Sequence, residues 1–201
     1  MDSQTEFEME RAQEMHQFIA DKAAGTYSNP DRLALFAAFF SLAQSHHEAI
    51  LLLCQEERLV GSAYALFRPL VEVVNRGLFT AFLATEEEVE DIKRGRTPYG
   101  HVETLTKRLD DLFDTQGLFA AYAGEAWGTM CGLTHGGIEQ LSRRISDKGE
   151  IGCHFNSEDV QRLLASSTGV LVRCAIQFLG IERPDASKSV SDKYIALYPE
   201  T

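Results

Sequence analysis

Residues 61–84 read GSAYALFRPLVEVVNRGLFTAFLA, a stretch that is apolar on almost every side of a helix and yet contains three charged residues. A helix that is hydrophobic all round is normally buried, so this stretch is expected to be the central helix of the fold. Arg68, Glu72 and Arg76 are four residues apart and therefore lie on one stripe of that helix. Buried charges are costly unless they are paired, and Glu72 lies one turn from each arginine. The stretch thus predicts a polar ladder in an apolar core.

Pro69 lies within this pattern, directly after Arg68. A proline inside a helix removes one backbone donor and crowds the carbonyl four residues earlier, which is that of Ala65. The periodicity continues on both sides, which favours a kinked helix over a helix that starts at Pro69. A kink beside buried charge can open a small polar pocket. The alternative interpretation is that the ladder only fixes the register of the helix against its neighbours.

Apolar periodicity predicts helices along most of the chain. The expected ranges are 3–24, 31–57, 61–84, 85–94, 101–113, 118–143 and 158–179. Ser28-Asn29-Pro30-Asp31 is a predicted start signal, and Gly180 is expected to end the last helix because Pro184 prevents its extension. The predicted fold class is all-α: a single-domain, up-and-down helical bundle of six or seven helices over residues 1–183. Residues 184–201 are predicted as a polar C-terminal tail that either docks on the bundle or stays mobile.

The bulk composition favours an acidic cytoplasmic protein. The chain has 201 residues, 44% hydrophobic residues and a formal net charge of −11, and an acidic surface disfavours broad binding of nucleic acids. Its first residues are acidic where a secretory signal needs basic charge, and its longest apolar runs are too short to cross a membrane. Four scattered cysteines without a Cys-x-x-Cys pair fit a reducing compartment.

The predicted helix at 118–143 carries glycines at a spacing of four. They are Gly124, Gly128, Gly132 and Gly136. A stripe without side chains lets another helix or a ligand approach closely, and close helix packing is the preferred interpretation.

His135 lies among these glycines, where a partner can reach it, and histidine suits acid or base chemistry near neutral pH. Both apolar helices should be central and adjacent, which would bring His135 to the charged ladder. Two arginines and a histidine form a cradle for an anion. The predicted catalytic residues are His135, Arg68, Glu72 and Arg76, and the predicted further anion-binding residues are Arg143 and Arg144. The alternative is a core histidine that is hydrogen-bonded inside the fold.

A metal site is the weaker interpretation of the histidines. In His46-His47-Glu48, adjacent helical positions diverge by about 100°, so only one of the two histidines can face a given site. A metal would need ligands from several helices, such as His47, Glu72 and His135. That set has no spacing of a known metal-binding class, so neither a metal nor another cofactor is predicted.

Arginine followed four to six residues later by histidine is typical of the HEPN ribonucleases, which are helical bundles. The chain has this spacing at Arg11 with His16 and at Arg96 with His101, and Arg94 with His101 also fits. Chance alone gives about one such match in a chain of this composition. The first match lies on an N-terminal helix that is expected to be exposed, and Pro98 and Gly100 interrupt the second.

Three segments carry a family resemblance. They are 63–72 with Arg76-Gly77, Thr134-His135-Gly136-Gly137 with 140–144, and the acidic cap Asn156-Ser157-Glu158-Asp159. Together they resemble a family of uncharacterised bacterial proteins of about this length, over most of residues 40 to 180. The resemblance implies no assigned activity. A relation to HEPN-like bundles, and through them to phage defence or toxin modules, is an analogy of fold.

Two hypotheses follow from the sequence. In the first, a cytosolic bacterial protein binds an anionic group or RNA at its polar core site and acts as a metal-independent nuclease or effector. His135 would then be the acid or base, and Arg68 and Arg76 would stabilise charge. In the second, the protein is a non-catalytic interaction module whose buried charges are structural. Its glycine stripe would form the face of a homodimer.

Overall fold

The chain is helical throughout the residues that the computed structural model describes, which are 2–25 and 31–199. Within these ranges there are nine α-helices and no strand, apart from one isolated antiparallel bridge between Ile145 and Ile151. The helices are α1 (Ser3–Ala23), α2 (Asp31–Cys54), α3 (Val60–Phe82), α4 (Glu86–Lys93), α5 (Val102–Phe113), α6 (Glu125–His135), α7 (Ile138–Leu141), α8 (Ser157–Glu182) and α9 (Pro184–Leu197). The predicted all-α bundle is confirmed, with two more helices than the larger number expected.

The core is built around α3, which packs along α2 and also contacts α6 and α8. Helix α3 is continuous through Pro69. Its close approach to α2 requires Gly77, because a Cβ atom there would lie 2.9 Å from the Cβ of Phe39. Phe36 of α2 meets Phe178 of α8 edge-on, with ring centroids 5.3 Å apart, and both are fully buried. The long apolar helices therefore form the centre of the bundle, as their composition predicts.

Two helix starts follow the capping-box pattern, in which the cap side chain and the third helical residue satisfy each other's backbone N–H groups. Thr85 and Glu88 cap α4 in this way, and Asn156 and Asp159 cap α8. Both helices begin within one residue of the expected starts at 85 and 158. The start signal predicted at residues 28–31 lies outside the described residues except for Asp31.

Helix α8 is, in the described part of the chain, the one helix long and apolar enough to cross a membrane by length and composition. The expectation of no membrane span considered only uninterrupted apolar runs and did not consider this helix. In the structure 61% of the most apolar window of α8 is buried inside the bundle. Burial against α1, α2, α3 and α9 is what a core helix of a soluble protein shows.

The single helix predicted at 118–143 is wrong. The segment divides into a 3₁₀ turn at Ala120–Tyr122, then α6, α7 and a second 3₁₀ turn at Ser142–Arg144. Gly124 and Gly136 flank α6 with φ angles of 60° and 71°, which only glycine adopts readily. Close helix packing along the glycine stripe is also wrong. A Cβ atom at Gly128 would meet, beyond the backbone of its own helix, no described atom within 4 Å, and one at Gly132 would meet the side chain of Glu139.

The C-terminal region also differs from the expectation. Helix α8 runs through Gly180 to Glu182, so the predicted stop at Gly180 is wrong, and Pro184 instead opens α9 at its first turn. Of the two expectations for residues 184–201, docking and mobility, docking holds for the described part. Val190 and Tyr198 are buried, and Arg11 of α1 donates a hydrogen bond to the carbonyl of Leu197 at 3.0 Å.

Candidate functional site

The charged ladder of α3 is paired as its spacing predicts. Arg68 Nη2 lies 2.9 Å from Glu72 Oε1, and Arg76 Nη2 lies 3.4 Å from Glu72 Oε2. The three side chains retain 20%, 22% and 39% of their accessible surface for Arg68, Glu72 and Arg76. The ladder is therefore at the wall of the bundle, partly open to solvent, and not sealed in the core.

His135 meets this ladder through Arg68. Its Nε2 atom lies 2.6 Å from Arg68 Nη1. A guanidinium group can only donate, so Nε2 is the acceptor in this contact. His135 is the last residue of α6, directly before the left-handed Gly136. The structure thus brings together the four residues predicted as catalytic, while their roles stay predictions.

Arg68 and Glu72 line two neighbouring hollows. The larger, about 380 Å³, is here called the arginine pocket; it is lined by Arg68, Glu72, Asn75, Arg76, Tyr99, Gly100, His101, Val102, Glu103, Leu105 and Trp127. The smaller, about 150 Å³, is lined by Arg68, Pro69, Glu72, Thr134 and His135. His135 therefore borders only the smaller hollow, and its link to the arginine pocket runs through the guanidinium of Arg68.

Aromatic rings hold the two guanidinium groups in place. Arg68 lies over the ring of Trp127 at 4.9 Å, and Arg76 lies over the ring of Tyr99 at 5.1 Å. Cations are attracted to the faces of aromatic rings, so each contact restricts an otherwise flexible arginine. Burial raises the pKa of Tyr99, and the nearby charge of Arg76 acts against this shift. The phenol of Tyr99 therefore stays protonated and neutral at physiological pH.

Two polar groups at the ladder have no protein partner. Asn75 is only 4% exposed and lines the arginine pocket, yet its side-chain amide has no hydrogen bond to any described residue. The Nε atom of Arg68 is buried and likewise without a partner in the described chain. Since buried polar groups are normally hydrogen-bonded, the wall of this pocket has donors to spare.

Arg143 and Arg144 do not extend the site. Arg143 Nη1 lies 2.5 Å from Asp159 Oδ2, and its guanidinium lies over the ring of Phe155 at 5.2 Å. The guanidinium of Arg144 lies against Gly61. Among the described residues that line the arginine pocket, neither arginine occurs. Helix α6 ends at His135, so these residues do not continue its face.

His47, one ligand of the metal alternative, has other partners in the structure. His47 is fully buried, with Nδ1 3.0 Å from Nδ1 of His16 and Nε2 3.1 Å from Oγ1 of Thr168. Burial lowers its pKa to about 3, and the neighbouring His16 adds to this shift. The two ring nitrogens of His47 thus face His16 and Thr168, whereas His135 and Glu72 both contact Arg68. No group of three His, Cys, Asp or Glu side chains in the described ranges could hold a metal ion.

The arginine–histidine spacings do not form pairs in the described structure. Arg11 pairs with Glu8 and lies over the ring of Tyr198. Arg96 pairs with Asp91 at 2.7 Å. His101 lines the arginine pocket, but neither Arg94 nor Arg96, the arginines spaced from it in the sequence, is among the lining residues.

The sequence interpretation missed eight of the eleven described residues that line the arginine pocket, among them Asn75, Tyr99, His101 and Trp127. For Asn75 a signal exists, because it lies three residues after Glu72 and so shares the face of the ladder. For Tyr99 and His101 no local pattern places the loop before α5 against α3. That placement comes from the packing of Tyr99, whose ring lies edge-on to Phe39 and Phe79 at 6.5 and 5.5 Å.

Residues 40–196 match a family of unknown function, DUF6988, and the chain belongs to this family. The match spans all of the residues that line the two hollows. No curated protein and no solved structure matches the chain. The resemblance to an uncharacterised helical family is thereby confirmed.

Proposed function

We propose that this member of the DUF6988 family binds a small anionic ligand in the arginine pocket. One observation carries the proposal: two guanidinium groups share a single carboxylate, that of Glu72, on the wall of a pocket of about 380 Å³. The ladder therefore has one positive charge in excess, and guanidinium donors remain for a carboxylate or phosphate group.

The aromatic contacts support this proposal. A binding site is more effective when its polar groups are held in position before the ligand arrives. Trp127 and Tyr99 hold the two guanidinium groups against rings at 4.9 and 5.1 Å, and Glu72 fixes both from the other end. Binding then costs little further ordering of these side chains.

The sharper form of the proposal is a cytosolic, metal-independent ribonuclease or defence-type effector with a HEPN-like fold. The contact between Arg68 and His135 supports it. An anion bound in the arginine pocket would attract the guanidinium of Arg68 and so change the hydrogen bond that this group donates to the imidazole. His135 Nε2 is occupied while Arg68 donates to it. Proton transfer to this atom therefore requires that a bound anion first draws Arg68 away.

Arg76→Gln tests the binding function. Glu72 keeps Arg68 as its partner in this variant, so the fold should be retained. We expect the rise in melting temperature caused by phosphate, pyrophosphate and citrate to shrink, with about tenfold weaker binding by calorimetry. Arg96→Gln is the matched control, since Arg96 pairs with Asp91 outside the pocket, and it should bind like the parent.

Two results would overturn the proposal: no anion binds the parent protein, or Arg76→Gln and Arg96→Gln bind equally well. The catalytic form has its own test. RNA cleavage in the presence of EDTA should be lost in His135→Ala while anion binding persists. Cleavage that survives this change excludes His135 as the acid or base.

The competing proposal is a non-catalytic interaction module. A surface other than the glycine stripe supports it. Four apolar side chains between α7 and the bridge are 56–90% exposed: Ile138, Leu141, Ile145 and Ile151. Ile145 and Ile151 pair in the bridge, and Ile138 and Leu141 lie one turn apart on α7. Exposed apolar groups of this kind are typical of protein interfaces. A second copy of the chain would cover them. Sedimentation should then show a dimer that Ile151→Ser weakens, and a monomeric parent protein would exclude this proposal.

A further inference from the structure

Helix α5 begins at the arginine pocket without a capping side chain. His101 is its N-cap residue, and no side chain of the described structure accepts a hydrogen bond from the first turn at the cap. Gly100, His101, Val102 and Glu103 all line the pocket. The first N–H groups of a helix have no partner within the helix and carry a partial positive charge. The opening turn of this 12-residue helix therefore presents free donors to the pocket.

Asn75 provides an independent indication of a ligand. It is more than nine-tenths buried, it lines the same pocket, and its amide has no partner among the described residues. Asn75 precedes Arg76, whose guanidinium has one ion pair, to Glu72 at 3.4 Å. The amide is therefore available to water or to a ligand in the pocket. A ligand oxygen in the pocket would satisfy it.

We propose that the arginine pocket takes a phosphate monoester, whose phosphoryl group sits between the first turn of α5, the Asn75 amide and the Arg76 guanidinium. This inference rests on the proposed function and adds the chemical class and the position of the ligand. Donors that converge from a helix end and from two side chains match the several oxygens of a phosphoryl group. A planar carboxylate has only two oxygens and would leave some of these donors unpaired.

The size of the pocket and the charge of the chain favour a small ligand over a polynucleotide. A volume of about 380 Å³ is within the range of small-molecule pockets, about 300–1,000 Å³. The net charge of −11 repels the many phosphates of a nucleic acid, whereas a single phosphoryl group meets only the local charges.

Two carboxylates also line the pocket, and they limit where the phosphoryl group can lie. Glu72 is engaged by both arginines. Glu103 is exposed on the first turn of α5. Its charge opposes an anion there, so Glu103→Gln should tighten the binding of phosphate.

The test is His101→Asp, which places a carboxylate at the N-cap of α5. Aspartate is a favoured N-cap residue, so the melting temperature should hold or rise, while its oxygens occupy the same N–H groups as the ligand and repel it. We expect inorganic phosphate and a nucleoside 5′-monophosphate to bind at least about tenfold more weakly by calorimetry. His154→Asp adds the same charge on the loop before α8 and is the control. Asn75→Leu should weaken both probes to a similar extent.

The outcomes separate this inference from the proposed function. If Arg76→Gln weakens binding while His101→Asp and Asn75→Leu bind phosphate as the parent does, the anion site stands and the phosphoryl position is wrong. If the parent binds citrate or acetate but neither phosphate probe, the ligand class is wrong. Binding of inorganic phosphate alone, without the nucleotide, identifies a free phosphate site and overturns the monoester.

Discussion

At the scale of single residues, Arg68 links the parts of the site. It contacts Glu72, His135 and the ring of Trp127, and it lines both hollows. Glu72 is the carboxylate that both arginines share, and Arg68 and Arg76 lie one helical turn before and after it. Loss of this carboxylate leaves two partly buried guanidinium groups without an ionic partner.

Glu72→Gln should therefore lower the free energy of unfolding by about 1–2 kcal/mol, the range for a partly buried charge-assisted contact. Glu86→Gln is the matched control. It removes a carboxylate that is 89% exposed and paired with Arg32, so its effect should stay within about 0.5 kcal/mol. Urea unfolding at neutral pH measures both. Equal effects would show that the ladder is no more than a surface ion pair.

His47 makes stability depend on pH. Burial lowers its pKa from 6.5 to about 3 in the folded chain, so between these values the unfolded chain binds a proton that the folded chain does not. Stability is therefore fully present above pH 6.5 and is lost as the pH falls towards 3. Burial also lowers the pKa of His16, although the charge of Glu48 opposes this, so the two histidines act in the same direction.

Urea unfolding at pH 7, 6, 5 and 4 tests this dependence. The free energy of unfolding of the parent should fall by up to about 1.4 kcal/mol per pH unit from His47 alone. His47→Gln removes this titration, so its curve should be flatter, whatever its stability at pH 7. Parallel curves for the two proteins would show that the pKa of His47 is the same in the folded and unfolded chains.

At the scale of elements, the sequence predicts what is set locally and fails where the backbone angle or tertiary packing decides. The capping boxes of α4 and α8 are encoded within four residues, and both were predictable. The ladder of α3 follows from its spacing alone. The glycines of 118–143 have the same spacing, but Gly124 and Gly136 adopt positive φ angles that end a helix. The amino-acid sequence alone does not show whether a glycine lies within a helix or ends it.

The glycine stripe gives a paired prediction. Gly128→Ala should raise the free energy of unfolding by about 0.5–1 kcal/mol, because the site is helical and a methyl group there meets, beyond the backbone of its own helix, no described atom within 4 Å. Gly136→Ala should lower it by about 1 kcal/mol or more, since alanine is strained at a φ of 71°. Chemical denaturation measures both. If Gly128→Ala is instead less stable than the parent, or loses a dimer that the parent forms, the glycine stripe does pack closely against another helix.

At the scale of the whole molecule, α9 closes the bundle at a distance from the ladder. It packs on α8 and α1, whereas the arginine pocket is lined by α3, α5, α6 and the loop before α5. Arg11 links α1 to this end of the chain through the Leu197 carbonyl and the ring of Tyr198. Substitutions in α9 should therefore change the stability of the bundle without changing the arginine pocket. Both regions still depend on the packing of α8 against α3.

Val190→Ala tests this separation. Val190 is fully buried, and the loss of two methyl groups from a core site should lower the free energy of unfolding by about 1–3 kcal/mol. Removal of residues 184–201 should cost more, because it uncovers the faces of α1 and α8 that α9 buries. Anion affinity should be unchanged in Val190→Ala, because no residue of α9 lines the arginine pocket in the described chain. If residues 1–183 unfold with the free energy of the full chain, the bundle ends at α8 and α9 is dispensable. If Val190→Ala loses affinity together with stability, the pocket depends on the docking of α9, and the two ends of the molecule are coupled through α8.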